Sequence, residues 1–489
     1  MSVYEDIVTI VGKERTTESN LDRICYGHDL APLPDELLRG FGVSKPDVVV
    51  RPDKISHVVD VMRYASQRNI PVTPRGGGSW GLGGVLPIGG GIVIDLSGMN
   101  RIIELNIEDE YVTIETGLEW KRLSDKIKKH GFHVGACPTS APVATVGGYI
   151  STGGSSGIGV SQHGTIGDQI ISLKVVLPDG RVVRTNPWDS WAFVGSEGTL
   201  GIVCEATLKI FKNNIMKHML FGFDSLDAGL EAVMRLTELN PYYFTFMDEG
   251  FVRLLNKKGS HLPEKKMILA ISLDVKDGEQ EEKEKTVNTI CHGNRFSDEM
   301  AEEEWENRYK TALSIKSLGP TFLSQEIRLP ARFLGRALRE WKTVLKSERF
   351  AFKGVCSDNG AINFFPILLT DERKKNAFMK TLSYTHDIAK IGAKYHGAVY
   401  GIGLFNANQM NNIHGVSLAV MKEIKRILDP KNILNPGKTV ENRIPNFLLF
   451  FIFKMMKHLT PLFVFLTKSI NYFPDIFVNN ASKFLKGNK

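Results

Sequence analysis

Two glycine-rich runs constrain this chain more than any other feature: RGGGSWGLGG at 75–84 and TVGGYISTGGSSGIG at 145–159. Three consecutive glycines behind a strand let the backbone approach a ligand closely and turn several N–H groups towards an anion. The first run reads as a diphosphate cradle. A Rossmann nicotinamide site needs a helix directly after such a loop. Here VLPIGGGIVIDLS (85–97) follows, a turn and then a strand, so that reading is disfavoured.

Strand and helix patterns alternate around the runs. Residues 48–50, 70–73, 91–96 and 111–117 read as strands. Ile55, Val58, Val59, Met62 and Ala65 recur at helical spacing, with Asp53 as the expected cap, and a second helix is expected over 119–130. Segments 171–177 and 181–185 flank Pro178-Asp179-Gly180, which predicts a hairpin. The stretch 217–394 is poorer in glycine and predicts long helices at 334–348 and 371–391. Its run DGEQEEKEK (277–285) reads as a solvated face.

At 489 residues the chain suggests two or three packed units. Cys25, Cys137, Cys204, Cys291 and Cys356 stand far apart with no C-x-x-C, which rules out a disulfide scaffold, a zinc ribbon and a ferredoxin-type cluster. That usage, and an opening segment MSVYEDIVTI without an apolar core, predict a cytoplasmic protein. Net charge is +7, but residues 441–489 hold seven of the 61 bases and only two of the 54 acids, leaving the body at +2. A near-neutral body argues against nucleic acid as a partner.

The run from ACPTS (136–140) through GGYISTGGSSGIG to VLPDG, followed by WAFVGSEGTLGIVCEATLKI (191–210), strongly resembles the FAD-binding domain of the vanillyl-alcohol oxidase and p-cresol methylhydroxylase (PCMH) superfamily. The likeness spans about 43–211, and HGVSLAVMKEIKRILDPKNILNPGK (414–438) looks like the family's closing segment. The branch it is most similar to holds glycolate oxidase D subunits and D-lactate dehydrogenases. The resemblance implies an α+β fold: a two-part PCMH-type FAD-binding domain (43–212), a cap on a mixed sheet (213–400), and a segment returning to the flavin domain (401–440).

Position by position, the resemblance assigns Arg75, Gly76, Gly77, Gly78, Ser79, Gly81 and Leu82 to the loop that wraps the pyrophosphate. Pro138, Thr139 and Ser140 match the segment near the isoalloxazine and diphosphate. Thr145, Gly147, Gly148, Thr152, Gly153, Gly159 and His163 match the second cradle. Glu197, Gly198, Gly201 and Ile202 match the strand beside the adenosine, and Asn435 the C-terminal asparagine near the flavin. Ser79 stands in the slot where covalent members place a histidine, which implies non-covalent FAD.

The chain departs from the branch in its cap. Where G-D-G-N-x-H is usual it has GAINFFP (360–366), keeping Asn363 but placing Phe365 in the histidine slot. Where E-H-G-[IV]-G is usual it has VYGIG, with Val399 and Tyr400 in place of acid and histidine. No metal is expected in that position, since zinc or manganese needs such ligands. Tyr400, His396 and Arg328 (in QEIRLP) remain as candidate catalytic or substrate-binding groups.

The tail segment FLLFFIFKMMKHLTPLFVFL (447–466) has fifteen of twenty residues from Phe, Leu, Ile, Met and Val. Lys454 and Lys457 would lie near the centre of a spanning helix, which is costly, so an in-plane helix is expected: peripheral attachment to a membrane surface through residues 444–489. The expected activity is FAD-dependent oxidation of a small 2-hydroxy acid (D-lactate or glycolate type) or related alcohol, with a quinone or electron-transfer protein as acceptor. A lipid- or sugar-alcohol-directed flavoenzyme (alkyl-glycerone-phosphate-synthase-like or aldonolactone-oxidase-like) and a flavin-binding subunit of a larger redox complex are the alternatives.

Overall fold

The computed structural model describes residues 2–441 apart from 32, 34, 310, 320 and 346–349. The expected membrane-binding tail lies outside the described residues, and among those described no helix is long and apolar enough to cross a membrane.

Three sheets organise the chain. The first runs Thr16–Thr17, Val48–Val50, Ile92–Asp95, Val72–Arg75, and its last three strands are parallel. Parallel strands need a crossover, and the helix Ile55–Arg68 carries the chain from Val48–Val50 to Val72–Arg75, past the position that Ile92–Asp95 fills, with Val58, Val59, Met62 and Ala65 buried. Strand Val48–Val50 is buried at every position, as a covered parallel strand requires. Asp53 does not cap that helix: Lys54 holds the N-cap position, and the Asp53 carboxylate accepts from Arg15 at 2.5 Å and lies 3.0 Å from His57 Nδ1. Thr16 pairs with Val50, so the N-terminal segment covers the edge of Val48–Val50.

The second sheet is antiparallel: Ile102–Asn106, Tyr111–Glu115, Ile202–Lys212, Ile170–Val176, Val182–Arg184, with Phe132–Val134 also pairing Ile202–Lys212. Its hairpin closes where Gly180 N–H donates to the Leu177 carbonyl at 2.9 Å.

The cap carries eight strands in the order Ile215–Phe223, Met267–Val275, Tyr243–Asp248, Phe350–Cys356, Ala361–Thr370, Ile327–Pro330, Ala398–Val399, with Thr321–Leu323 beside Ala361–Thr370. Every pair is antiparallel, which corrects the expected mixed sheet. The helix Leu226–Thr237 does connect two parallel strands, but Met267–Val275 lies between them. Ala361–Thr370 likewise separates the strands that Leu334–Leu345 connects. Helices Leu226–Thr237, Gln280–Ile290, Leu334–Leu345 and Lys375–Lys394 bury their apolar stripes on one face of this sheet. On the other face Tyr243, Val355 and Phe365 pack against the core of the second sheet.

After helix Ser417–Leu428 the chain returns to the first sheet. Val72 N–H donates to Ile433 O and Asn435 N–H to Val72 O, both at 2.7 Å. All five cysteines are free.

Candidate functional site

The two glycine runs meet. A Cβ on Gly77 would strike the Val143 carbonyl, and one on Gly76 the Thr145 hydroxyl, so glycine is required there by loop-to-loop packing. The second run is not wholly a loop: Thr145 caps a short helix, Val146–Ser151, accepting from Gly148 N–H at 3.2 Å. Ser140 O accepts from Val143 and Ala144 N–H (3.0 and 2.8 Å), tightening the turn of Pro138, Thr139 and Ser140 against the junction. Ser79, Gly81, Leu82, Thr139, Ser140, Gly148 and Gly153 stay partly exposed, and Thr152 is exposed.

Arg75 folds back over its own loop, and a Cβ on Gly78 would meet its guanidinium. Its guanidinium donates to His28 O at 2.7 Å and lies 5.3 Å from the centre of the Tyr26 ring. Burial lowers its pKa, opposed by Asp29 and Asp95. Asp29 in turn accepts from Gly83 N–H at 2.8 Å, so residues 26–31 brace the first loop from behind. These contacts fix the Arg75 guanidinium beside the first loop.

Glu197 lies in a left-handed turn (φ 51°) ahead of strand Ile202–Lys212 rather than on it. Its Oε1 accepts from Ile402 and Gly403 N–H (3.1 and 2.7 Å), and Asn435 Nδ2 donates to its carbonyl at 2.7 Å and to Gly84 O at 3.0 Å. Glu197 Oε2 and Asn435 Oδ1 are buried with no protein partner. Polar atoms stranded beside two abutting glycine loops fit a dinucleotide with polar edges, which would satisfy them. Gly198 (φ 68°) packs on Pro74 at the same junction.

Four assigned residues lie elsewhere. Gly201 and Ile202 pack into the core, and Gly159 (φ 83°) presses on the Gly135 carbonyl. The His163 ring packs 4.1 Å from Phe211 and sits against His133, at the seam between the second sheet and the cap, because its short helix Val160–His163 leads away from the glycines.

The cap places a row of side chains opposite the loops. The register Ile327↔Phe364 and Arg328↔Asn363, continued by Thr321↔Thr370, sets Glu326 opposite Phe365. The register Ile327↔Val399 sets Glu326 opposite Tyr400, whose N–H donates to Glu326 O at 2.9 Å. Ile327 and Leu329 point into the cap core, so Glu326 and Arg328 share the opposite face with Asn363, Phe365 and Tyr400. Tyr400 reaches both loops: its ring meets Trp80 edge-on at 6.2 Å, and its phenol lies by the Ser155 backbone. Asn363 Nδ2 donates to Ser155 O at 3.1 Å. Arg328 pairs with Asp358 at 2.6 Å and keeps a third of its side chain exposed.

Burial raises the Tyr400 pKa, with Glu326 adding to the rise, so the phenol is a neutral donor near neutral pH. Glu326 Oε2 is buried without a partner, and burial raises its pKa well above the carboxylate range. His396, in contrast, is exposed at the end of helix Lys375–Lys394, its ring 5.0 Å from Phe333. Among the described residues no hydrogen bond or ion pair joins its ring to the Tyr400 row. Glu326 was missed by the sequence reading. The signal was present in the alternation of QEIRLP, which puts Glu326 and Arg328 on one face.

A model described as "FAD binding domain" matches residues 46–186, and one described as "FAD linked oxidases, C-terminal domain" matches 213–439. The chain is 27% identical to glycolate oxidase subunit GlcD of Bacillus subtilis (strain 168), covering 89% of this chain and 96% of that protein. It is also 27% identical to the mitochondrial D-lactate dehydrogenase [cytochrome] of Arabidopsis thaliana, covering 81% and 74%. Among solved structures, p-cresol methylhydroxylase with substrate bound superposes with TM-score 0.76 at 15% identity, over 89% of this chain and 96% of that one. Alkyldihydroxyacetonephosphate synthase gives 0.72 at 20%, over 88% and 85%. With both halves matched in order and the PCMH-type architecture reproduced, the chain belongs to the FAD-linked oxidases and carries FAD as its cofactor.

Proposed function

We propose that this protein oxidises the CH–OH carbon of a small 2-hydroxy acid of the D-lactate or glycolate type. The observation that carries the reading is Tyr400, which contacts both glycine loops while facing Glu326 across the cap sheet. The relatives named glycolate oxidase and D-lactate dehydrogenase support it. FAD, held non-covalently by the two loops with Glu197 and Asn435, would supply the two-electron acceptor for the carbinol hydrogen. Arg328, oriented by Asp358, would take the substrate carboxylate. Tyr400 would donate to the hydroxyl oxygen, and ionised Glu326 would accept its proton. A carboxylate with a raised pKa is the stronger base.

One observation favours a second reading, a lipid- or sugar-alcohol substrate: Phe365 stands beside Glu326, giving the row an apolar wall. Anaerobic mixing with hydroxy acids, sugars and alkyl alcohols separates the two. Bleaching of the flavin by a 2-hydroxy acid supports the first reading, and bleaching by the alcohols alone overturns it. We further propose that residues 444–489 attach the protein peripherally to the cytoplasmic face of a membrane, where a quinone or electron-transfer protein takes the electrons. Deleting them should release the protein with its flavin spectrum intact, and resistance of the full chain to alkaline carbonate would refute the in-plane model.

A further inference from the structure

The strongest unexplained cluster is at the seam between the flavin domain and the cap. His133 on strand Phe132–Val134, His163 at the end of helix Val160–His163, and Asp274 on cap strand Met267–Val275 bring one ligand atom each to within 4.8 Å of one another. The two imidazole Nε2 atoms are 3.3 Å apart, and His133 Nε2 is 3.8 Å from Asp274 Oδ2. Ligand nitrogens on a tetrahedral zinc at ~2.0–2.1 Å stand about 3.3 Å from each other. We propose that His133 Nε2, His163 Nε2 and Asp274 bind a divalent transition metal of the zinc class, which clasps the cap to the flavin domain.

The surroundings suit a metal. His133 Nδ1 lies 3.2 Å from Asn213 Oδ1; as a donor to that oxygen it leaves the Nε2 lone pair free. Asp274 is almost fully buried and is held by Asn214, whose backbone N–H and side-chain Nδ2 donate to its two oxygens at 3.2 and 3.1 Å. Among the described residues no lysine or arginine pairs with it. Two imidazoles and one carboxylate are a donor set for zinc-class ions, with water in the fourth position. The cluster shares no residue with the Tyr400 row, and it is not the position where the cap lacks imidazoles, Phe365 and Tyr400.

The test uses the full-length flavoprotein, stripped with a chelator and titrated with Co²⁺ and then Zn²⁺. The expected result is one equivalent of Co²⁺ with the visible ligand-field bands of a four-coordinate site, displaced by Zn²⁺, and a rise in Tm on Zn²⁺ addition. His133→Gln and His163→Gln should abolish the bands while the flavin spectrum stays unchanged. Asn213→Ala should weaken binding about tenfold. A wild-type protein without these bands, or histidine variants that bind Co²⁺ as the wild type does, would overturn the site. Because the wild-type spectrum alone can refute it, a variant that fails to fold does not protect the proposal.

Discussion

The two glycine loops and the cap row face each other but are built on different terms. The loops do their work with backbone. Gly76 and Gly77 must lack side chains so that residues 75–84 and 143–148 can abut, and Gly78 and Gly198 hold left-handed turns (φ 57° and 68°). The cap row works with side chains, and Glu326, Asn363 and Tyr400 stand together only because three strands distant in sequence share one register. A site made of backbone is sensitive to any added atom. A site made of side chains fails one group at a time.

The largest effect should follow Gly77→Val. Its Cβ meets the Val143 carbonyl rather than a phosphate, so the loop junction itself separates, and the purified variant should contain no FAD. Normal flavin content would mean that the loops do not abut. Next, Arg328→Met should raise KM about tenfold or more with kcat less affected, the loss expected for a charged hydrogen bond of ~1.5–3 kcal/mol. An unchanged KM for a hydroxy acid would remove Arg328 from the row. Tyr400→Phe should slow flavin reduction about fivefold, removing one hydrogen bond of about 1 kcal/mol, while FAD content stays whole, since the ring still meets Trp80. Loss of FAD in that variant would turn Tyr400 into a cofactor support.

The smallest effect concerns the face of the cap sheet that packs on the second sheet. His218, 4.4 Å from Trp305 in a stacked geometry, has its pKa lowered from 6.5 to about 4, chiefly by burial. A depressed folded-state pKa contributes stability that is present above pH 6.5 and lost as pH falls towards 4. Tm should therefore drop by a few degrees across that window, and His218→Gln should flatten the drop. An unchanged drop would assign it to other groups.

The same contrast explains what the sequence showed. The glycine runs were legible because left-handed turns and close backbone approach leave glycine in the sequence itself. The alternating strands and the Pro178-Asp179-Gly180 hairpin were legible for the same local reason. The mixed-sheet expectation failed because interleaving of strands is a non-local choice: Met267–Val275 inserts between two strands that a helix joins. The bracing of Arg75 was not legible, because its partners, Tyr26 and His28, lie in an N-terminal segment with no motif. Glu326 escaped notice because its neighbours Phe365 and Tyr400 are set by pairing, and His396 drew attention only by proximity in sequence to Tyr400.

The central claim is that Glu326 on the cap row accepts the substrate proton. Its pKa is raised, so it is protonated and idle at low pH and becomes an acceptor as pH rises. The measurement is the anaerobic rate of flavin reduction by a hydroxy acid against pH, for the wild type and Glu326→Gln, both loaded with FAD. The wild-type rate should rise with pH above the ordinary carboxylate range, and the variant should be slower by about a hundredfold or more with that rise abolished. A Glu326→Gln enzyme that retains the wild-type rate and profile would contradict the account.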